Sequence, residues 1–309
     1  MHAEFQPLYN RVRKNHRHLS RWAKREEISC YRLYDRDMPE FPFAIDWYAG
    51  QVHLQVFHGK RSESFDWDAL QAGLAATLGI AEPDVVLKTR ERQRGVSQYE
   101  ATGERGETRV VVEDGLRFEV NLHRYLDTGL FLDHRLTRRM VRDEAADRRV
   151  LNLFAYTGSF SVYAAAGGAS STLSVDLSRT YQEWTRRNLR LNGFDNDANR
   201  REQADVFGFL ENAAYRRQRF DLIVLDPPSF SNSKRMKDVL DVQRDHPRLI
   251  LACLKLLTDG GILYFSTNRR RFKLDDTLSD AAAIEDIGAR TIPRDFARIR
   301  PHRCWRMTK

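Results

Sequence analysis

The chain has 309 residues, 41% of them hydrophobic, so it can bury one large core and a smaller one and is not a disordered tail. Its 51 Lys and Arg against 43 Asp and Glu leave a formal charge of +8 and a pI near 9.5, a balance that favours a polyanionic partner. No apolar run approaches membrane-span length, the start Met1-His2-Ala3-Glu4-Phe5-Gln6-Pro7 lacks a signal-peptide stretch, and three scattered cysteines form no metal pattern, so a cytoplasmic setting without a metal is expected.

The first 118 residues are expected to form an accessory, RNA-binding α+β domain. Arg11, Arg13, Lys14, Arg17, Arg21, Lys24 and Arg25 fall on a helix-compatible stretch that contains no acid. Strand-like runs follow near Cys30–Leu33, Phe43–Trp47 and Val52–Phe57, with a helix over Trp67–Leu78. Strands recur near Val85–Thr89 and Thr108–Glu113, separated by a polar, glycine-containing loop from Gln93 to Glu107. No internal repeat is visible.

Residues 119–309 are expected to form the second domain. Before its first strand, Thr128-Gly129-Leu130-Phe131-Leu132-Asp133-His134-Arg135 is a candidate wall over a ligand, with Phe131 and Arg135 as the contacts, or else a hinge with one buried Phe. The run Val150-Leu151-Asn152-Leu153-Phe154-Ala155-Tyr156-Thr157-Gly158 then reads as a strand, a tight loop and the start of a helix. One glycine at the turn suits close backbone approach to a ligand but not the several bare amides that a pyrophosphate needs. A second strand ends at Asp176, which lies 18 residues after Gly158 and suits a carboxylate accepting from two ribose hydroxyls. The alternative, an N-cap on the next helix, is met by Ser178. Asp205 closes a third strand, where it either accepts from an adenine amine or caps a helix; Leu177 and Val206 flank these acids.

The fourth strand, Phe220–Leu225, runs into Asp226-Pro227-Pro228-Ser229-Phe230. The prolines fix φ and donate no N–H, so a carboxylate, rigid carbonyls and an aromatic ring are offered at the strand's carboxyl end. A helix from Asp238 to Leu257 should stop at Asp259-Gly260-Gly261, followed by a strand Ile262–Ser266 and the basic turn Arg269-Arg270-Arg271-Phe272-Lys273. An amphipathic segment over Asp275–Ile287 and two strands near Ala289–Ile292 and Phe296–Met307 would complete seven strands. A third basic group gathers Arg294, Arg298, Arg300, His302 and Arg303. Strand loop, ribose acid, adenine-side acid and Asp-Pro-Pro in this order describe a Rossmann-like α/β fold expected to hold an adenosine without phosphates, a description that S-adenosylmethionine fits.

These motifs, with Asn10–Asn15, Asp176–Tyr181, Asp226–Met236 and Asp241–His246, resemble the large-subunit ribosomal RNA methyltransferase K family over essentially the whole chain. The resemblance implies S-adenosylmethionine-dependent methylation of guanine N7 in 23S rRNA. In many bacteria the enzyme is the C-terminal half of a fused K/L protein. Because no second methyltransferase precedes Met1, the guanine-N2 activity is expected to be absent, with a separate N2 enzyme as a candidate partner. The donor set is then Phe131, Arg135, Asn152, Phe154, Ala155, Tyr156, Thr157, Gly158, Asp176, Leu177, Asp205, Val206 and Asp226. Asp226, Pro227, Pro228 and Phe230 are the catalytic platform. Arg11, Arg13, Lys14, Arg17, Arg21, Lys234, Arg269, Arg270, Arg271 and Lys273 would hold rRNA or a large-subunit assembly intermediate.

The chemistry separates the competing targets. Cytosine C5 needs a thiolate that adds to C6, yet the post-strand turn reads Ser266-Thr267-Asn268-Arg269 and the Asp-Pro-Pro loop has Ser229. Exocyclic amines usually call for an aromatic directly after the prolines, whereas here Ser229 intervenes. Guanine N7 carries an in-plane lone pair and asks chiefly for alignment. A cytosine C5 or guanine amine methyltransferase, and a non-catalytic assembly factor that kept the fold, are the alternatives.

Overall fold

Helix α1 (Gln6–Arg25) forms because Leu8, Tyr9, Val12, Leu19 and Ala23 recur at helical spacing and bury one stripe, with Pro7 tolerated in the first turn. The computed structural model describes residues 3–57, 65–90, 107–125, 127–231 and 239–309. Lys234, the loop over 93–106 and the proposed helix start at Asp238 lie outside them. Contacts divide the chain into Met1–Leu132 and Asp133–Lys309.

In the first unit, α1 lies on a four-stranded sheet of order β1-β2-β3-β4 (Cys30–Asp35, Phe43–Tyr48, Gln51–Phe57, Val85–Arg90). The first three strands are an antiparallel meander. β3 and β4 pair in parallel across the crossover helix α2 (Trp67–Leu78), which Asp66 caps through the Ala69 N–H at 3.0 Å. A hairpin of β5 (Arg109–Glu113) and β6 (Leu116–Val120) follows. Ser29 fastens it, donating its N–H to Val112 O and accepting the Val112 N–H on Oγ at 2.7 Å. That pairing places β6 with the first unit, so the contact boundary falls after Leu132, whereas the sequence boundary stood at 118.

The second unit is a seven-stranded sheet of order β14-β15-β13-β10-β7-β8-β9. Its strands are β7 (Arg149–Leu153), β8 (Ser171–Asp176), β9 (Asn199–Gln203), β10 (Phe220–Leu225), β13 (Leu257–Thr267), β14 (Ala283–Asp286) and β15 (Arg303–Thr308). β7 to β10 and β13 run parallel, and β15 is antiparallel to both neighbours. Helices α3 (Arg135–Asp143) and α4 (Ser159–Ala166) cover one face through Val141, Phe160 and Ala164. On the opposite face lie α6 (Val206–Tyr215) and α7 (Val242–Leu256), through residues such as Phe209, Leu249 and Ile250. Helix α5 (Arg179–Leu191) connects β8 to β9. A Rossmann-like fold of this kind is what the strand and helix alternation predicts.

Three expectations change in detail. Helix α7 starts at Val242, because the Asp241 carboxylate accepts the Gln243 and Arg244 N–H groups and caps it there. Asp259-Gly260-Gly261 does not end a helix; it is a bulge within β13, where Gly260 takes φ +72° and the register to β10 shifts. The C-terminal segment also moves: Ala283–Asp286 is the edge strand β14, the expected strand near Ala289–Ile292 is the short helix α8 (Gly288–Thr291), and β15 begins only at Arg303. Asp286 accepts the Gly288 N–H and starts that helical turn, and Pro293 follows it.

Candidate active site

The strand order turns at β7 and β10. The chain runs β7-β8-β9 in one direction and β10-β13 in the other, so the crevice beyond their carboxyl ends is the expected ligand site. The loop after β7 alternates into the left-handed region at Phe154 (φ 55°), Tyr156 (φ 51°) and Gly158 (φ 74°). Two of these are not glycine, so the conformation costs about 1–3 kcal/mol each unless the surroundings impose it. They do impose it. Ala155 N–H bonds Val175 O, Tyr156 N–H bonds Asp176 Oδ2 at 2.9 Å, and helix α5 holds the loop carbonyls. Thr185 Oγ1 donates to Tyr156 O at 3.1 Å and Asn188 Nδ2 donates to Thr157 O at 2.9 Å. Gly158 sits so close to α5 that a Cβ would meet Thr185 Cγ2 at 2.3 Å. The sequence reading missed Thr185 and Asn188. Their signal was two polar residues on the stripe that also carries buried Tyr181 and Leu189.

Asp176, at the tip of β8, accepts one backbone N–H on each oxygen: Tyr156 on Oδ2 and Ser178 on Oδ1 at 2.8 Å. Burial pushes its carboxyl up to about 6 against the pull of those two bonds. Ser178, not Asp176, caps α5 through the Tyr181 N–H. Asp205 does cap α6, accepting the Gly208 N–H on Oδ2 at 3.0 Å. Asn152 is 1% exposed and donates to Ser161 Oγ, which bonds Ser174 Oγ, so it stitches β7, α4 and β8 beneath the crevice. Ala155, Thr157 and Val206 are buried, and Leu177 is half-buried.

On the other wall, Asp226 accepts from Ser266 Oγ at 2.6 Å and its second oxygen lies 3.7 Å from His134 Nε2. Pro227 is buried, Pro228 half-buried, and Phe230 is 54% exposed. A short ribbon of β11 (Phe230–Ser231) and β12 (Leu240–Asp241) carries that ring. Ser229 Oγ donates to Asn268 Oδ1 at 2.6 Å and ties the proline loop to the turn after β13.

Sequence reading also missed His134 and His302. Their rings stack with centroids 4.1 Å apart and planes 14° from parallel. His302 bonds Asp133 through Nδ1 and Thr291 through Nε2, each at 3.0 Å. Burial, together with the neighbouring His302, holds the His134 imidazole below its ordinary value. Asp133, His134 and His302 bring potential ligand atoms within 4.8 Å of one another. Nearly parallel rings cannot aim their in-plane lone pairs at one metal ion, and both His302 nitrogens are engaged, so the group is a hydrogen-bonded stack.

Arg135 is 1% exposed and paired with the buried Asp295 at 2.9 Å, so it belongs to the core and not to the crevice. Phe131 is 42% exposed at the end of the first unit. Among the basic residues, Arg269 is held by Asp241 at 2.7 Å and Arg11 by Asp37 at 3.2 Å. Arg270, Arg271 and Lys273 are exposed around the buried Phe272. Gln243 pins their turn by donating to Lys273 O and accepting the Lys273 N–H. On α1, Arg13, Lys14, Arg17 and Arg21 are exposed. In the third basic group His302 is buried and Arg303 pairs with Asp286.

An adenosine without phosphates fits these groups: an acceptor at the tip of β8 for ribose, another at the tip of β9 for an amine, and a loop with a single glycine between them. A family model described as S-adenosylmethionine-dependent methyltransferase matches residues 30–305. The "Ribosomal RNA large subunit methyltransferase K" of Neisseria meningitidis serogroup B is 52% identical over 309 residues, covering 98% of this chain and 87% of that protein. The "methyltransferase K/L" of Pseudomonas entomophila is 50% identical over 98% of the chain, which spans only 42% of that longer protein. The crystal structure of SMU.776 complexed with SAH superposes with a TM-score of 0.76 at 24% identity, over 97% of this chain and 82% of that one, and shows the same fold. The chain is therefore an S-adenosylmethionine-dependent methyltransferase and belongs to the ribosomal RNA large subunit methyltransferase K family.

Proposed function

We propose that the enzyme methylates N7 of a guanine in 23S rRNA without a covalent intermediate. The observation that carries this is the exposed Phe230 ring on the rigid Asp226-Pro227-Pro228 platform, in a chain whose three cysteines are all buried. Burial pushes the Cys253 and Cys304 thiols far up, so neither supplies the thiolate that cytosine C5 chemistry needs. N7 presents its own lone pair, and the protein's task is orientation and exclusion of water.

S-adenosylmethionine supplies the electrophilic methyl when bound. Asp176 accepts from its ribose hydroxyls, Asp205 from the adenine amine, and the Phe154–Gly158 backbone lines the cradle. Phe230 stacks on a guanine unstacked from folded RNA, as base-modifying enzymes require. Asp226, steadied by Ser266, accepts from the guanine N1 and N2 hydrogens. The large-subunit names of the relatives, the acid-free face of α1 and the exposed Arg270, Arg271 and Lys273 support an rRNA substrate. Three free cysteines suit a cytoplasmic enzyme, and no helix among the described residues is long and apolar enough to cross a membrane.

The test is transfer from radiolabelled S-adenosylmethionine to unmodified 23S rRNA, with nucleosides resolved by mass spectrometry. Label in 7-methylguanosine is expected. Label in 5-methylcytidine or 2-methylguanosine would overturn the assigned atom, and tight binding without label on RNA or pre-ribosomal particles would favour an assembly factor.

A further inference from the structure

Asn268 stands on the rim of the same crevice and none of the roles above uses it. It follows β13, whose Phe265 pairs with Leu225 of β10, so the segments leaving the two strands lie side by side. Two further contacts fix that register beyond the sheet: Ser266 Oγ donates to Asp226 Oδ1, and Ser229 Oγ donates to Asn268 Oδ1, both at 2.6 Å. With its oxygen engaged, the Asn268 side chain turns its Nδ2 away from Ser229. That nitrogen carries two N–H donors, and it makes no hydrogen bond among the described residues. The side chain is exposed, as Phe230 is, and Ser229 directly precedes Phe230 in the chain. The neighbouring Arg269 is not the equivalent donor, because Asp241 holds it.

A carboxylate, which can accept from two N–H groups at once, and an amide donor on adjacent segments, beside one stacking ring, complement the Watson–Crick edge of guanine. Guanine offers two donors, N1–H and N2–H, and then the acceptor O6. Adenine reverses that order with an N1 acceptor and an N6 donor. O6 also adjoins N7, so a donor on O6 fixes which way N7 faces while leaving it uncovered. We propose that Asn268 is the guanine-specificity residue of this site, its amide nitrogen donating to O6 of the target base while Asp226 accepts from N1 and N2. Ser229 is then a positioning residue that sets the amide's orientation. The assignment rests on the guanine-N7 reading above and deepens it.

The test uses 23S rRNA transcripts in which 6-thioguanosine sparsely replaces guanosine, since sulfur at position 6 is a weak acceptor. Nucleoside mass spectrometry compares 7-methyl-6-thioguanosine with 7-methylguanosine after correction for incorporation. The wild-type enzyme is expected to discriminate against the thio base roughly tenfold, the scale of one lost specific base contact. Asn268→Ala should lose about as much in kcat/KM on guanosine, and its preference between the two bases should vanish. Asn268→Asp, which sets an acceptor against O6, should lose more, and Ser229→Ala less. S-adenosylmethionine affinity should stay unchanged in all three, which shows that each variant folds. An Asn268→Ala enzyme that keeps both its turnover and the wild-type preference overturns the inference and leaves the N7 reading standing. Absence of 7-methylguanosine from the wild-type reaction overturns both.

Discussion

At the scale of single residues, Asp176 links folding to pH in a direction opposite to its proposed role in binding. Its folded value of about 6 lies above the ordinary 3.8, so the folded state binds the extra proton. The stability this gives is fully present below the ordinary value and is lost as pH rises through about 6. Ribose hydroxyls, by contrast, need the ionised acceptor. S-adenosylmethionine affinity, measured by calorimetry between about pH 5 and 8, should weaken below about pH 6 and approach tenfold per unit. Asp176→Asn should flatten that dependence and bind more weakly, because one of the Tyr156 and Ser178 N–H groups loses its acceptor. An affinity that is level over the whole range would remove Asp176 from the ribose site. Asp176 and the Asp226-Pro227-Pro228 platform were legible in the sequence because each ends an apolar run at a sheet's carboxyl edge. The stack of His134 on His302 was not, since the partners stand 168 positions apart and meet only through the sheet. Nor was the role of the Asn152 side chain legible: the run marks its backbone as part of the loop, while the side chain bonds Ser161 beneath the crevice, nine positions on.

At the scale of elements, α1 shows how one amphipathic pattern can serve two ends. Arg13, Lys14, Arg17, Arg21, Lys24 and Arg25 are exposed and fall within an arc of about 120° at 100° per residue. Leu8, Val12, Leu19 and Ala23 fill the opposing arc and pack into the first unit's core. A row of long cations with no acid among them suits successive phosphates. Replacing Arg13, Arg17 and Arg21 together with Gln should lower the salt slope of rRNA affinity by about 2–3, near one per lost phosphate contact. Filter binding between about 50 and 200 mM salt measures it. Arg11→Gln should change little, because Asp37 already holds Arg11. An unchanged slope in the triple variant would reduce the stripe to a solvated surface. The elements that the sequence revealed are those with buried periodicity, such as α1, β7 and β10. The edge strand β14 escaped because only Ile284 of its four residues is half-buried and the other three are exposed, a weak pattern resembling the polar face of a helix. The bulge at Gly260 escaped because glycines there are equally good as a helix stop.

At the scale of the whole molecule, exposed cationic surfaces occur on both units, α1 on the first and Arg270, Arg271 and Lys273 on the second. The net positive charge nevertheless lies in the second: the first has 19 Lys and Arg against 20 Asp and Glu, the second 32 against 23. The three acids proposed to meet the donor or base, Asp176, Asp205 and Asp226, are fixed by hydrogen bonds inside the second unit alone, which separates donor binding from polyanion binding. Cation–phosphate contacts release counterions, whereas hydrogen bonds to a ribose and an amine do not. S-adenosylmethionine affinity should therefore stay nearly level from about 50 to 200 mM salt while rRNA affinity falls steeply. Arg270→Gln with Arg271→Gln should lower the rRNA slope by about 1–2, and the loss should add to that of the α1 triple variant if the two sets of cations contact different phosphates, since sites without shared partners combine independently. Additivity in the five-residue variant means that one RNA engages both surfaces at once. A combined loss no larger than either set alone would mean that the two surfaces bind RNA as alternatives, and would confine the productive contact to the unit that carries the crevice.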